Sequence, residues 1–450
     1  MSSTLMISVA GVRGIVGESL TPAVIADFAG GFAGELAAGP VVVGRDARRS
    51  GPMVLQAVTA GLMAAGRDVV DVGLATTPTT QIAVEHLRAA GGIILTASHN
   101  PPEWNALKFL SSRGEFLSAE EGARVRARAE SHSLPWRRFD ALGSPRAEAH
   151  ALDWHLERVL ALDVIDVAAI RARKLRVVVD GCASVGGIAV PRLLEALGAA
   201  VVPLDCEPNG AFTRELEPLP EHLGALARAT REAGADFGVA CDPDADRAAF
   251  VDGEGVPLGE EYTVALGTSV VLEKHRGPVV TNLSTSRIVD AVCARWGVPL
   301  YRTAVGEAHV VAGLRAHGAV AGGEGNGGMI LPAAHYGRDG LVAVALVANL
   351  LATHGGTLRV AAGLLPRLYM IKARWKRRGE WAEGARRLKE EFAGMALNET
   401  DGLHFSEGDA WVHVRVSGTE PIVRAIAESA SESRTRELVT RAGRALGEAA

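Results

Sequence analysis

The feature that most constrains this chain is a rhythm that recurs three times. Short apolar runs of strand length alternate with helical stretches, first as PVVVGRD from Pro40, a helical stretch to Gly66, RDVVDVG, and GGIILTA from Gly91. Such alternation predicts βαβ units and a largely parallel sheet. The second occurrence runs from LRVVVD at Leu175 through GCASVGG, AVPRLLEALGAA, VVPLD and LGALARATREAGA to DFGVAC. The third follows VDGEGVPLG, with a helix to Lys274, the strand PVVTNL, the helix TSRIVDAVCARWG, a short strand near Leu300 and a helix ending before GAVAGGEGNGGMI. The shared rhythm makes the three units candidates for diverged copies of one fold. From about Tyr369 the pattern changes to YMIKARWK, a helix, the alternating strand WVHVRV, the loop SGTEP, the strand IVRAIAES and a final helix, which predicts a small α+β domain.

A chain of 450 residues is too long for one core, because domains usually hold about 100 to 200 residues. The expected division is 1–150, 151–256, 257–368 and 369–450: three α/β domains with mixed sheets and a smaller C-terminal α+β domain. The first boundary is placed near His150, after an Arg-rich stretch from Glu120 that offers no apolar face wide enough for a core.

Composition narrows the function classes. A net charge of −5, with basic residues spread rather than clustered, gives no electrostatic footprint for nucleic acid. Cys182, Cys206, Cys241 and Cys293 lack CxxC spacing, which argues against zinc and for free thiols in a reducing compartment. The longest mostly apolar run, Leu341 to Ala352, is short of the about 18 to 20 residues that span a bilayer, and the first residues lack a signal-peptide pattern. A cytoplasmic protein with no membrane partner is expected.

Four loops carry chemistry. TASHNPPEWNALKF follows the strand GGIIL, so Ser98 is expected exposed at a strand's end, where α/β sheets present ligands, with Lys108 returning on the next strand. CDPDADRAAFVDGEG places Asp242, Asp244 and Asp246 between two strands; in an extended stretch alternate side chains share a face, and three such carboxylates suit a hard cation such as Mg²⁺. An EF-hand reading fails, because Pro243 is a poor start and Gly253 stands where the bidentate Glu would be. GGEGNGG has Glu324 and Asn326 as its only polar side chains, on a loop that lets backbone approach a ligand. RVSGTEPIVR offers Arg415, Arg424, Ser417, Thr419 and the amides around Gly418, an inventory for gripping a phosphate dianion. Taken singly, each loop also reads as a polar or flexible turn.

In this order the four segments resemble those of the α-D-phosphohexomutase superfamily (phosphoglucomutase, phosphomannomutase, phosphoglucosamine mutase), across essentially the whole chain. The resemblance assigns TASHNP to a phosphoserine loop, DPDADR to a magnesium loop ending in Arg247, GEGNGG to a sugar-binding loop and RVSGTEP to a phosphate-binding loop. AGVRGIVG, which carries Arg13, and VVVGRDARRSG, with Arg45, Asp46, Arg48 and Ser50, also look like the family. Asn326 and Gly328 stand where many members have Ser and His, and VGEAHVVAG, with Glu307 and His309, lacks the lysine of phosphoglucomutase/phosphomannomutase relatives. These departures bear on which sugar is used.

The resemblance implies domains around a central cleft and interconversion of hexose 1-phosphate and hexose 6-phosphate through phospho-Ser98. It implies one Mg²⁺ on Asp242, Asp244, Asp246 and the serine phosphate, with a hexose 1,6-bisphosphate as intermediate and activator. Lys108 and His99 are the candidate proton carriers and Arg13 a stabiliser of the transferring charge. Arg247, Glu324, Asn326, His309, Arg415, Ser417, Gly418, Thr419 and Arg424 are the substrate-binding candidates. Phosphoglucomutase/phosphomannomutase activity is expected before phosphoglucosamine mutase; the rivals of another class are a metal-dependent sugar phosphatase and an inactive sugar-phosphate-binding protein. A monomer or homodimer is expected.

Overall fold

A computed structural model describes residues 4–8, 11–417 and 422–448. The first sheet has seven strands, in the spatial order Met6–Ser8, Gly11–Ile15, Trp104–Leu110, Gly91–Leu95, Val41–Arg45, Val69–Leu74 and Pro145–Ala147. Its centre is parallel, and Val41, Val42 and Val43 are wholly buried because helices cover both faces.

The second sheet runs Ala248–Asp252, Phe237–Cys241, Arg176–Asp180, Ala200–Leu204, and the third Gly328–Ile330, Ala321–Glu324, Val279–Asn282, Leu300–Thr303. In each, three parallel strands are followed by a fourth that turns back antiparallel beside the third. The Val41, Val69, Gly91 and Trp104 strands of the first sheet have this same order and the same antiparallel return. The repetition seen as rhythm in the sequence is thus a shared topology.

The long apolar run near Leu341 is the Gly340–His354 helix, buried from Gly340 to Leu351 in a core cluster that joins the second and third units. Asp339 caps it by accepting from Leu341 N and Val342 N. Among the described residues no helix is long and apolar enough to cross a membrane, and all four cysteines are free thiols.

One expectation needs correction. The Arg-rich stretch after Glu120 does contain a packed helix, Ala119–Glu130, started by a Ser118/Glu121 capping box. Its apolar stripe is only Val125 and Ala129, but Gly31 on the Pro22–Glu35 helix lets the backbones close: a Cβ there would lie 2.9 Å from Val125 O. A narrow stripe suffices where the opposing helix has no side chain.

The C-terminal unit is a five-stranded antiparallel sheet, Tyr369–Lys376, Ile422–Ser429, Ala410–Val416, Leu403–Glu407 and Ala396–Asn398, covered by the Trp381–Glu391 and Glu432–Ala445 helices.

Candidate active site

The three α/β units present their polar loops at the same point of the topology, the turn from the third parallel strand into the antiparallel return. In the first unit this turn, between Leu95 and Trp104, carries Ser98. Ser98 sits at φ 50°, a left-handed conformation uncommon for a residue with a Cβ. Two restraints hold it there. Thr96 Oγ1 accepts from Ser98 N at 2.9 Å. Arg48, 1% exposed, spends all five donors locally: Nε on Asp46 Oδ2, Nη1 on the carbonyls of Pro101 and Trp104, and Nη2 on those of Ser98 and Asn100.

Ser98 is not exposed as expected but 7% accessible, because its loop is drawn against the second unit and its Oγ donates to Asp242 Oδ2 at 2.9 Å. The corresponding second turn, between Cys241 and Ala248, carries Asp242, Asp244 and Asp246, all fully buried. The three do not converge through extended alternation: the segment is a turn with Ala245 at φ 50°. They still offer one oxygen each within 4.8 Å of one another.

Asp242 is bonded on both sides, its Oδ1 accepting from Arg247 N at 3.3 Å, whereas the other two carboxylates have one side held. Asp244 Oδ2 accepts from Lys108 Nζ at 2.7 Å and Thr77 Oγ1 at 2.8 Å, and Asp246 Oδ2 from Arg338 Nη2 at 2.6 Å. Asp244 Oδ1 and Asp246 Oδ1 are buried with no hydrogen-bond partner among the described residues. Two orphaned carboxylate oxygens beside a third carboxylate form a donor set that fits a hard divalent cation. Burial, then the charges of Asp246 and Asp244, push Asp242 well above the usual carboxylate range. Burial acts the same way on Asp244, but Lys108 outweighs it and holds that group below the usual range.

The third turn, between Glu324 and Gly328, carries Asn326. Glu324 Oε1 accepts from Asn282 Nδ2 at 2.8 Å and Gly306 N at 2.9 Å. Asn326 Oδ1 accepts from Gly328 N at 3.2 Å. His309 is exposed in the first turn of the Glu307–His317 helix, whereas Glu307 is buried and bonded to Arg338 Nε at 2.9 Å.

The fourth loop joins the Ala410–Val416 and Ile422–Ser429 strands. Its Gly418 and Thr419 lie outside the described residues; Ser417 N donates to Ile422 O at 2.9 Å. Arg415 pairs in register with Arg424, and Arg424 with Arg374 on the neighbouring Tyr369–Lys376 strand. Register partners share a sheet face, so three guanidiniums form a row across three strands. Like charges placed opposite one another are unfavourable by themselves, and an anion over the row would relieve them. Glu217 Oε2 lies 3.6 Å from Arg374, and Asp401 Oδ2 3.3 Å from Arg415 Nε.

A cavity of about 440 Å³ has His99 of the serine loop and Arg424, beyond the fourth loop, among its walls, together with Glu217, Glu261, Lys372 and Arg374. Burial, and then the charges of Arg247, Arg13 and Arg424, hold His99 well below the usual histidine range, so it is neutral in a cationic surrounding. Arg13 Nη1 donates to Asn100 Oδ1 at 3.1 Å, which puts that guanidinium beside the serine loop.

Known proteins share this order of domains. The descriptions "Phosphoglucomutase/phosphomannomutase, alpha/beta/alpha domain" I, II and III match residues 5–135, 154–255 and 259–369, and the family's C-terminal domain matches 370–442. A phosphoglucomutase/phosphomannomutase of Thermococcus kodakarensis is 37% identical over 436 residues, 95% of either chain. The chain belongs to the phosphoglucomutase/phosphomannomutase family. A probable phosphoglucosamine mutase of Methanopyrus kandleri is 38% identical over 436 residues, 95% of this chain and 94% of that one. The crystal structure of a phosphoglucomutase/phosphomannomutase family protein from Burkholderia thailandensis superposes with a TM-score of 0.86 at 27% identity, covering 99% of both chains.

Within the family frame, the sequence reading brought together Ser98, Lys108 and the three aspartates but missed Thr77, Arg338 and Arg374. Thr77 and Arg338 sit on helix-start segments outside the motifs; packing of units brings both to the aspartate turn, and a bridge to Ile330 sets Arg338 beside the sugar turn. Arg374 had a usable signal: counting back across the antiparallel strands from Arg415 through Arg424 sets it in the same row.

Proposed function

We propose that Ser98 is the phosphoryl carrier of this hexose-phosphate mutase, passing the group between the C1 and C6 oxygens of a hexose by way of a bisphosphorylated sugar. The observation that carries the reading is the 2.9 Å approach of Ser98 Oγ, from the first unit, to Asp242 of the second, beside two buried carboxylate oxygens that accept no hydrogen bond from the described residues.

A phosphoserine adds about −1.5 to −2 of charge at neutral pH. Beside three buried carboxylates this is tolerable only with a cation among them, and all-oxygen ligation favours Mg²⁺. Asp242, Asp244, Asp246 and the phosphate on Ser98 would hold it. When bound, magnesium neutralises charge on the transferring group.

The chain's own residues supply the rest. Lys108, close to Asp244 and one strand from Ser98, is the proposed proton carrier for the reacting sugar hydroxyl, while His99, whose protonation burial and the nearby arginines disfavour, is the weaker candidate for that role. Arg13 and Arg247 flank the transferring group. Arg415, Ser417, Arg424 and Arg374, with Gly418 and Thr419, dock the phosphate that stays behind, while Glu324, Asn326 and His309 orient ring hydroxyls. One docking row and one serine oblige the bisphosphate to turn round between the two transfers, so that position supplies the rate.

Glucose and mannose phosphates are the proposed substrates; the 38% identity to a probable phosphoglucosamine mutase favours glucosamine phosphate as the competing one. Coupled assays with the three 1-phosphates, Mg²⁺ and a trace of hexose 1,6-bisphosphate test both points. Formation of a 6-phosphate supports the reading, and release of inorganic phosphate without isomerised sugar overturns it in favour of a phosphatase.

A further inference from the structure

We propose that Arg338 is the positioning residue that sets the cation site against the sugar-binding turn, and that Gly328 is glycine because Arg338 crosses it. The inference rests on the functional reading above for the roles of its partners. Arg338 is 8% exposed and reaches three carboxylates from three separate segments. Its Nη2 donates to Asp246 Oδ2 at 2.6 Å, its Nε to Glu307 Oε2 at 2.9 Å, and its Nη1 lies 3.2 Å from Glu324 Oε2. One planar group thereby fixes a member of the cation-binding triad, the carboxylate of the sugar turn, and the start of the helix whose preceding Gly306 N also bonds Glu324.

The geometry of these contacts leaves work to be done by each partner. With Oδ2 of Asp246 taken by Arg338, its buried Oδ1 remains as the oxygen without a hydrogen bond, 3.6 Å from Arg247 Nε. The Arg338 backbone is itself anchored: Asp339 accepts from His155 Nε2 at 2.8 Å and His335 Nε2 at 3.0 Å, and Gly340 N donates to Ala245 O in the aspartate turn at 3.2 Å. A guanidinium on a fixed backbone, bonded on all three sides, is preorganised rather than a mobile counter-charge.

Gly328 gives independent support. A Cβ at that position would lie 2.3 Å from Arg338 Cδ, inside any permissible contact, so a side chain there and Arg338 in this path exclude one another. The sequence departure at Gly328 and the buried arginine are therefore one structural feature.

The sign of the effect on cation binding separates positioning from simple charge balance. A cation beside a metal site repels the metal, so removing it without moving Asp246 would tighten binding; losing the position of Asp246 would weaken it. The experiment is Mn²⁺ titration of dephosphorylated protein, followed by the electron paramagnetic resonance of free Mn²⁺, for wild type, R338K, R338A, G328A and G328A/R338A. Steady-state kinetics with glucose 1-phosphate run alongside. Both R338A and G328A should weaken Mn²⁺ by about 10-fold or more, with R338K between them and wild type. The double variant should be no weaker than R338A, since the added methyl group then has no arginine to displace. KM for the sugar phosphate should rise in both single variants, because Glu324 loses its support. Unchanged or tighter Mn²⁺ binding in G328A overturns the proposal, and so do losses that multiply in the double variant. Should R338A fail to fold, G328A and R338K decide the matter, since both keep the charges of the site. Mn²⁺ binding needs no turnover, so a wild type that failed to isomerise sugar phosphates would count against the functional reading and leave the titration result for Arg338 standing.

Discussion

Arg48→Ala is the substitution that most directly asks whether the serine loop is held from outside itself. The guanidinium donates to four loop carbonyls and to Asp46, and Asp46 is 0% exposed. Removing it leaves a buried carboxylate without its counter-charge, a change that typically costs about 3 to 5 kcal/mol. The carbonyls add roughly 1 to 3 kcal/mol for each that stays dry. Two effects limit the sum: three of the four bonds are only partly buried, so water can replace them, and Asp46, which burial already pushes above its usual range, can take up a proton. A loss of about 3 to 5 kcal/mol from the first unit is therefore expected. A shift of about 1 Å in Ser98 should lower kcat on the order of 10²-fold. Arg48→Lys, with three donors in place of five, should recover part of both losses. Urea unfolding resolved by domain, together with mutase kinetics, makes the check. A change under about 1 kcal/mol with near-normal kcat would refute the clamp.

Other outcomes follow from the same geometry. Asp244→Asn should weaken divalent-cation binding and leave Lys108 without its charge partner, cutting turnover by orders of magnitude; full activity in excess chelator would contradict it. Arg415→Ala should impair the 1-phosphate and the 6-phosphate directions alike, by about 2 to 4 kcal/mol in kcat/KM; an effect on one direction alone would overturn the shared docking row. His404 is pushed down to about 3 by burial, then by His413, Arg302 and Arg287. Between that value and the unfolded pKa near 6.5 the unfolded chain binds the extra proton, so stability falls as pH falls through this window. His404→Gln should remove on the order of 1 to 2 kcal/mol of the loss between pH 6.5 and 5, read from urea midpoints at the two pH values.

What the sequence made legible follows from what is local. The βαβ rhythm, the C-terminal α+β unit and the loops at strand ends could be read because hydrophobic period and turn residues are properties of short segments. The helix at Ala119–Glu130 could not, since its burial depends on Gly31 of another helix. Ser98 was expected exposed for a similar reason: a strand's end is open within one unit, and only the Asp242 turn of the next unit closes over it. The three aspartates were found by spacing, but they converge through the left-handed Ala245 rather than the pleat of a strand. Arg338 carries no motif at all; a buried guanidinium between three carboxylates is a property of packing.

The central claim is that Ser98 carries the phosphoryl group. Dephosphorylated protein mixed with hexose 1,6-bisphosphate and Mg²⁺, quenched and digested, should show by mass spectrometry a phosphoryl group on the peptide containing Ser98 and on that serine. A chase with hexose monophosphate should remove it as bisphosphate forms. Turnover with Ser98 unmodified throughout, or with the label on another residue, would contradict the account.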